Sequence, residues 1–292
     1  MNLKLLAEKF NDTLDQTYDS GERESIFSLV IEHYLRLKKS DIVLKKDLLI
    51  SKEQVEEVEL ALTQLKNGKP IQYVLGEAYF YGLKFEVTPA VLIPRPETEE
   101  LVEWIIETVK SGFPSALKSD GEEVIIDMGT GSGCIAISLK KNLASFKVDA
   151  LDISEESLTV ASKNAIANET EINFIHADML APEVEVNGRY SIVVSNPPYI
   201  KMDEKEVMHK NVLDFEPHHA LFVSNENPLI FYEAVADFAL QNLQKEGWLF
   251  FEINEYLGNK TIGLLEQKGF TNLELKKDMQ GKERMIRCRR GS

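Results

Sequence analysis

The sequence has no uninterrupted apolar run of about 18 residues, so it offers no membrane-spanning helix. Its first stretch, MNLKLLAEKFNDTLDQTYDS, is amphipathic and carries acids. It lacks the continuous apolar segment and small-residue cleavage site of a secretory leader. Cysteine is scarce. Cys134 and Cys288 lie far apart and suggest neither a disulfide frame nor a zinc site, which points to a reducing cytoplasm. The five histidines show no ligand spacing, and no metal is expected. Basic charge is in deficit: 33 Lys and Arg against 48 Asp and Glu give a net charge of −15. A protein that neutralises many phosphates usually shows a basic surface, so this balance argues against a nucleic-acid substrate. The deficit is uneven. Residues 1–75 hold 11 bases and 13 acids, the rest 22 and 35. The locally basic stretch from Lys260 interleaves its charges with a strand pattern and reads as a solvated face.

What is present divides into two textures. In residues 1–75, Leu3, Leu6, Ala7, Phe10 and Leu14 recur at helical spacing. So do Ile26, Leu29, Val30, His33, Tyr34 and Leu37. Ser51 and Gln54 form a capping box that opens SKEQVEEVELALTQLKNG, which Gly68 and Pro70 stop. A small helical bundle is expected there, as a recognition module or a stabilising cap. Residues 76–95 contain Tyr79, Tyr81, Phe85 and Val87 with Gly76 and Gly82, the signature of a linking hairpin. RPETEELVEWIIETV then starts a helix, with Pro96 in its first turn and acids near its positive end. KSGFPSALKSDGEE reads as a surface connection. From Val124 onward strands and helices alternate, so residues 96–292 are expected to form a doubly wound, Rossmann-like α/β sheet. Its last two strands are close enough in sequence to pair as a hairpin and supply an antiparallel edge.

In such sheets ligands bind at the carboxyl ends of the strands, near the switch point. The first strand ends in DMGTGSG, where Gly129, Thr130, Gly131, Ser132 and Gly133 make a turn that allows close backbone approach. Its G-x-G-x-G spacing fits a dinucleotide fingerprint poorly, and it has no Walker lysine. The second strand ends in Asp152, 21 residues beyond Gly131, where an acid can accept from both ribose hydroxyls. Asp178 ends the third strand within reach of an adenine amino group, and Asp127 ends the first. Three acids around one cleft suit a nucleoside that carries positive charge. S-adenosylmethionine, with a sulfonium and an ammonium group, has that sign. The alternative is that each Asp merely caps the next helix.

The fourth strand, in YSIVVSNPPYI, runs into Asn196, Pro197, Pro198 and Tyr199. A planar amide or aromatic amine is a poor nucleophile because its lone pair is delocalised. The Asn196 side-chain oxygen can accept one N–H of such a group, and the Pro197 carbonyl the other. The two prolines pre-set that geometry. Tyr199 can stack on the planar group. Positioning and hydrogen bonding of this sort need neither metal nor covalent intermediate.

NPPY resembles the (N/D)PP(Y/F) motif of amino-methyltransferases. LIPRPETEELV, SNPPYI and DMQGKER together resemble the protein-(glutamine-N5) methyltransferases of the HemK/PrmC family, and the resemblance spans nearly the whole chain. It implies a class I methyltransferase fold behind a helical substrate-recognition domain. It implies S-adenosylmethionine on the glycine loop 129–133 and Asp152, with Asn196 also near it. The acceptor it implies is the glutamine of the Gly-Gly-Gln loop of class 1 peptide-chain release factors, its amide held by Asn196 to Tyr199. Alternatives are a glutamine of a ribosomal protein, an amino group of adenine or guanine in nucleic acid, and a partner protein that binds cofactor without turnover. Some relatives carry an aromatic residue after the third-strand acid; here Met179 stands there, a residue that can pack on an adenine face through sulfur, and whether it replaces the aromatic contact is open. Arg95 and Glu97 are open between structure and substrate entry, and Glu99 reads as structural. The segment KMDEKEVMHKNVLDFEPHHALFV, which holds His218 and His219, reads as a lid on the substrate side. Cys134 reads as a packed residue.

Overall fold

The computed structural model describes residues 1–112, 123–181, 186 and 190–291; most of the surface connection expected at 110–123 lies outside them. The chain forms two compact units. One comprises Met1–Glu77 with His209–Phe215, the other Ala78–Met208 with Glu216–Ser292. Among the described residues no helix is long and apolar enough to cross a membrane.

The first unit contains α1 (Leu3–Leu14), α2 (Ser20–Leu35), α3 (Lys39–Leu44), α4 (Lys52–Lys66) and α5 (Ile71–Leu75). Side chains that accept backbone N–H groups open three of them. Asn2 caps α1, Asp19 caps α2 and Ser51 caps α4, the last with Gln54 returning the bond as a capping box. Leu3, Leu6, Phe10 and Leu14 are buried against Ile26 and Val30 of α2 and Val58, Leu62 and Leu65 of α4. Removing each such side chain from water contributes about 1.5–3 kcal/mol. The stripe on α2 differs from the expected one. Leu29 is exposed, and Phe27, Ile31 and Leu35 are buried with Ile26 and Val30, because the i, i+1, i+4, i+5 positions of this helix face its neighbours.

The second unit begins with a hairpin of β1 (Glu77–Phe80) and β2 (Leu83–Glu86). Tyr81 and Gly82 form its two-residue turn, both with positive φ, as a tight hairpin turn requires. Then come α6 (Pro96–Lys110), β3 (Val124–Met128), α7 (Cys134–Asn142), β4 (Lys147–Asp152), α8 (Glu155–Ala167), β5 (Asn173–His176) and β6 (Tyr190–Ser195). The segment expected as a lid carries its own structure: β7 (Ile200–Lys201), a 3-10 helix (Met202–Val207), α9 (Lys210–Phe215), α10 (His218–Leu221) and β8 (Phe222–Val223). α9 belongs to the helical unit, although it is inserted after β6 in the chain. The chain ends with α11 (Ile230–Asn242), β9 (Leu243–Glu252), α12 (Gly258–Gln267), β10 (Phe270–Lys277) and β11 (Glu283–Arg290).

Seven strands form one sheet in the order β10-β11-β9-β6-β3-β4-β5. β9, β6, β3, β4 and β5 pair in parallel. β11 runs antiparallel to both its neighbours. The carboxy-terminal hairpin is present, and its antiparallel strand lies one in from the edge, which β10 occupies. Alternate residues serve opposite faces, as the period of two demands. Ile192, Val194, Trp248 and Phe250 pack in one core with α6 and α7, while Val193, Leu249 and Phe251 pack in the other with α11 and α12. Helices on both faces explain why β6 is buried at all six positions. After β3 the chain winds outward through β4 and β5, then returns to place β6 on the other side of β3. The β3/β6 junction is therefore the switch point, and a crevice opens there.

Candidate active site

DMGTGSG folds as expected from its glycines. Gly129, Gly131 and Gly133 all have positive φ. A Cβ on Gly131 would meet nothing within 4 Å, because that face looks into open space. Gly133 opens α7, and a Cβ there would press on Ile137 and Ala161 at 3.0 and 3.2 Å, so its role is close helix packing. Asp152, at the tip of β4, ties the turn down. Its Oδ2 accepts from the Gly131 N–H at 2.8 Å and its Oδ1 from the Ser154 N–H at 2.9 Å. An ionised carboxylate has about four acceptor sites, so two remain for a ligand.

These residues border a cavity of about 220 Å³. Of the expected site residues, Gly129, Gly131, Asp152, Asp178, Met179, Asn196 and Pro198 line it. Ala90 to Leu92, Ile153 and His219 line it too. A smaller adjoining cavity of about 40 Å³ is bordered by Thr130, Ser132, Arg95, Thr98 and again Asn196. Asn196 borders both cavities, together with Leu92, Gly129 and Gly131. Met179 takes the place after the third-strand acid and lies over the glycine turn, its Cε 2.9 Å from where a Cβ on Gly129 would stand. Asp178 is exposed, and its Oδ1 accepts from the Leu180 N–H at 2.8 Å.

Asp127, Gly133, Pro197 and Tyr199 are not among the lining residues. Asp127 is fully buried. Its Oδ2 accepts from the Thr130 hydroxyl at 2.6 Å, and its Oδ1 has no hydrogen-bond partner among the described residues. Burial pushes its carboxyl up to about 7, opposed by the Thr130 hydroxyl and assisted by the charge of Asp152. A carboxyl raised in the fold favours the protonated protein, so its stabilising effect is complete below about pH 4 and is lost as pH rises to about 7. Asp127→Asn removes that titration. Its stability relative to the parent should rise by about 2–3 kcal/mol between pH 5 and pH 8 in urea unfolding; a constant difference would contradict the assignment.

The turn after β6 is held from beneath. The Tyr199 hydroxyl donates to Glu252 Oε1 at 3.0 Å, and the Thr98 hydroxyl to Glu252 Oε2 at 2.6 Å. Asn196 Nδ2 donates to Thr98 Oγ1 at 3.2 Å. The Asn254 amide donates to the Tyr199 carbonyl at 3.1 Å. Glu252 ends β9 and is 2% exposed. Burial raises its carboxyl above the ordinary range, against the Thr98 and Tyr199 hydroxyls and the charge of Arg284. Burial also raises the Tyr199 phenol well above its ordinary value, with the Glu252 charge adding to the effect. Tyr199 is thus tethered at its hydroxyl.

Residues 6–76 match the family model of the PrmC N-terminal domain, and residues 112–216 match that of the methyltransferase small domain. The sequence is 48% identical to the release factor glutamine methyltransferase of Flavobacterium psychrophilum, over 98% of this chain and 99% of that protein. The chain belongs to the release factor glutamine methyltransferase family. It is 40% identical to the family member of the same name from Bacteroides thetaiotaomicron, over 95% and 96% of the two chains. A methyltransferase from Pyrococcus furiosus has a similar fold, with a TM-score of 0.51, 18% identity, and coverage of 73% of this chain and 91% of that one.

The PRPETE segment of this family member explains itself in contacts. Arg95 pairs with the buried Glu216, which also accepts from the Ile93 N–H at 3.4 Å. Glu99 accepts the Tyr81 N–H of the hairpin turn at 3.0 Å, the structural role expected of it. Glu97 accepts from Gln280 and Glu100 from the Met279 N–H, both at 3.1 Å, so this segment and DMQGKER form one contact. Thr98, Glu216 and Glu252 were not singled out from the sequence. Glu252 had a usable signal, since it is an acid at a strand tip like Asp152. Arg95→Ala leaves Glu216 buried without its cation. It should lower stability by about 1–3 kcal/mol in chemical denaturation, with Glu216→Gln in the same background recovering part; an unchanged midpoint would show that the Arg95–Glu216 pair does not hold this segment.

Proposed function

We propose that this chain transfers the methyl group of S-adenosylmethionine to the side-chain amide nitrogen, N5, of the glutamine in the Gly-Gly-Gln motif of class 1 peptide-chain release factors, in the cytoplasm. The observation that carries it is Asn196 at the border of both cavities, in a chain related over nearly its whole length to release factor glutamine methyltransferases.

The residues present fit the cofactor. Gly131 leaves open space where a side chain would stand, and Asp152 retains acceptor sites at the cavity wall. Gly129 to Gly133, Asp152, Asp178 and Met179 would hold S-adenosylmethionine, which supplies an electrophilic methyl group. A cationic ligand is electrostatically favoured by Asp152 and Asp178, the two acids that line the cavity.

Asn196 Oδ1 and the Pro197 carbonyl accept the two N–H bonds of the substrate amide. Drawing those hydrogens away raises electron density on nitrogen as it attacks, so the stabilisation grows toward the transition state. No strong base is required, because the nitrogen becomes acidic once methylated. Pro198 walls the cavity, and Tyr199 anchors the turn through Glu252. The helical domain, residues 1–75, recognises the release factor.

The test is partition of label. With labelled S-adenosylmethionine, a purified release factor should become labelled and its Gln→Ala variant should not. Label in DNA or a ribosomal fraction, with none in the factor, would overturn the proposal.

A further inference from the structure

The proposed mechanism requires the Asn196 side chain to face the substrate with its oxygen, not its NH2. An asparagine amide has two ends of nearly the same shape and opposite hydrogen-bonding sense. Something must choose between them. We propose that Glu252 and Thr98 are positioning residues that fix the polarity of the Asn196 amide and so make the site an acceptor of N–H donors.

This rests on the reading of Asn196 given above, and it follows from counting protons. Burial opposes ionisation of Glu252, but two hydroxyls donating to its oxygens and the nearby Arg284 charge favour the carboxylate, and a carboxylate only accepts. Its two oxygens each meet one hydroxyl, Thr98 at 2.6 Å and Tyr199 at 3.0 Å. A hydroxyl has a single proton. Thr98 gives its proton to Glu252, so toward Asn196 it offers only a lone pair. The atom that lies 3.2 Å from Thr98 Oγ1 must then be the Asn196 NH2 nitrogen. Oδ1 is turned the other way, and among the described residues nothing donates to it. The chain of command therefore runs from carboxylate to hydroxyl to amide to substrate. A reversed amide would present N–H to N–H and repel the acceptor group.

Burial makes the device firm. Thr98 is 3% exposed and Glu252 2%, so water does not compete for these bonds, and an unmet partner would be costly. The four groups come from three places in the chain. Thr98 lies in the first turn of α6, Glu252 ends β9, and Asn196 and Tyr199 follow β6. The pairing of β6 with β9 brings Glu252 beneath the turn.

The experiment compares Thr98→Val, Thr98→Ser, Glu252→Gln and Asn196→Ala in the full chain, with S-adenosylmethionine and a release factor. Rates, KM for the factor, cofactor affinity by calorimetry and urea unfolding are measured. T98V should lower kcat by about 10–100-fold while cofactor affinity stays at the parent value. T98S, which keeps the hydroxyl, should recover most of the rate. E252Q offers an amide that donates as well as accepts, so it should lose rate with T98V, and it carries the test should T98V not fold. Parental kcat in T98V or E252Q would overturn the proposal. So would T98S as slow as T98V, or a loss confined to KM. If N196A is inactive while T98V is fully active, only the polarity device fails. If N196A turns over normally, the role of Asn196 itself fails.

Discussion

Asn196→Ala should reduce methyl transfer by at least about 10²–10³-fold while S-adenosylmethionine binds as in the parent protein. The substitution removes the acceptor for one substrate N–H and leaves the Pro197 carbonyl to act alone. It also leaves Thr98 without the Asn196 donor. The cofactor contacts proposed for Gly129 to Gly133 and Asp152 lie on other strand tips, and the bonds from Asp152 to Gly131 and Ser154 do not involve Asn196. Binding and turnover should therefore separate. Calorimetry with S-adenosylmethionine, together with single-turnover rates, reads both. Parental turnover would remove Asn196 from the mechanism, and joint loss of binding would show that the residue acts on the cofactor instead.

Asp152→Ala should have the reverse profile. The carboxylate makes two charge-assisted bonds to backbone, at 2.8 and 2.9 Å, that hold the glycine turn and the start of the next loop. Each bond to a charged group contributes about 1.5–3 kcal/mol. Their loss leaves the Gly131 N–H without its acceptor and frees the turn that the cofactor must meet. The acceptor proposed for the ribose hydroxyls goes with them. Cofactor affinity should fall by about 100-fold or more, since each 1.4 kcal/mol is a factor of ten. Asp152→Asn should fall between the two, because it keeps one oxygen and loses the charge. Cofactor binding at parental affinity in the alanine variant would exclude Asp152 from that site.

How much of this was legible in the sequence differs from residue to residue. Asp152 and the glycine turn could be placed because each lies at a local boundary, where a strand stops and a helix starts. Asn196 was legible for the same reason, with two prolines marking the end of β6. The expected bundle, hairpin and doubly wound sheet depend on short-range periodicity. The Thr98–Glu252 bond was not legible. Its partners are 154 residues apart, and they meet only because β9 pairs with β6 rather than with a nearer strand. The antiparallel β11 lies inside β10 for the same kind of reason, since strand order is a property of the whole sheet. Leu29 shows the local limit. On a helix with apolar residues on most sides, spacing alone does not say which stripe is buried. Nor does sequence show that Tyr199 is held at its hydroxyl, because that bond needs an acid from a different strand.

The most direct test of the central claim is where the methyl group goes. A release factor incubated with this protein and S-adenosylmethionine is digested, and the peptide containing Gly-Gly-Gln is sequenced by tandem mass spectrometry. One added methyl group on the glutamine side chain, absent when N196A replaces the parent protein, is the predicted result. An unmodified glutamine, or a methyl group on any other residue, would contradict it.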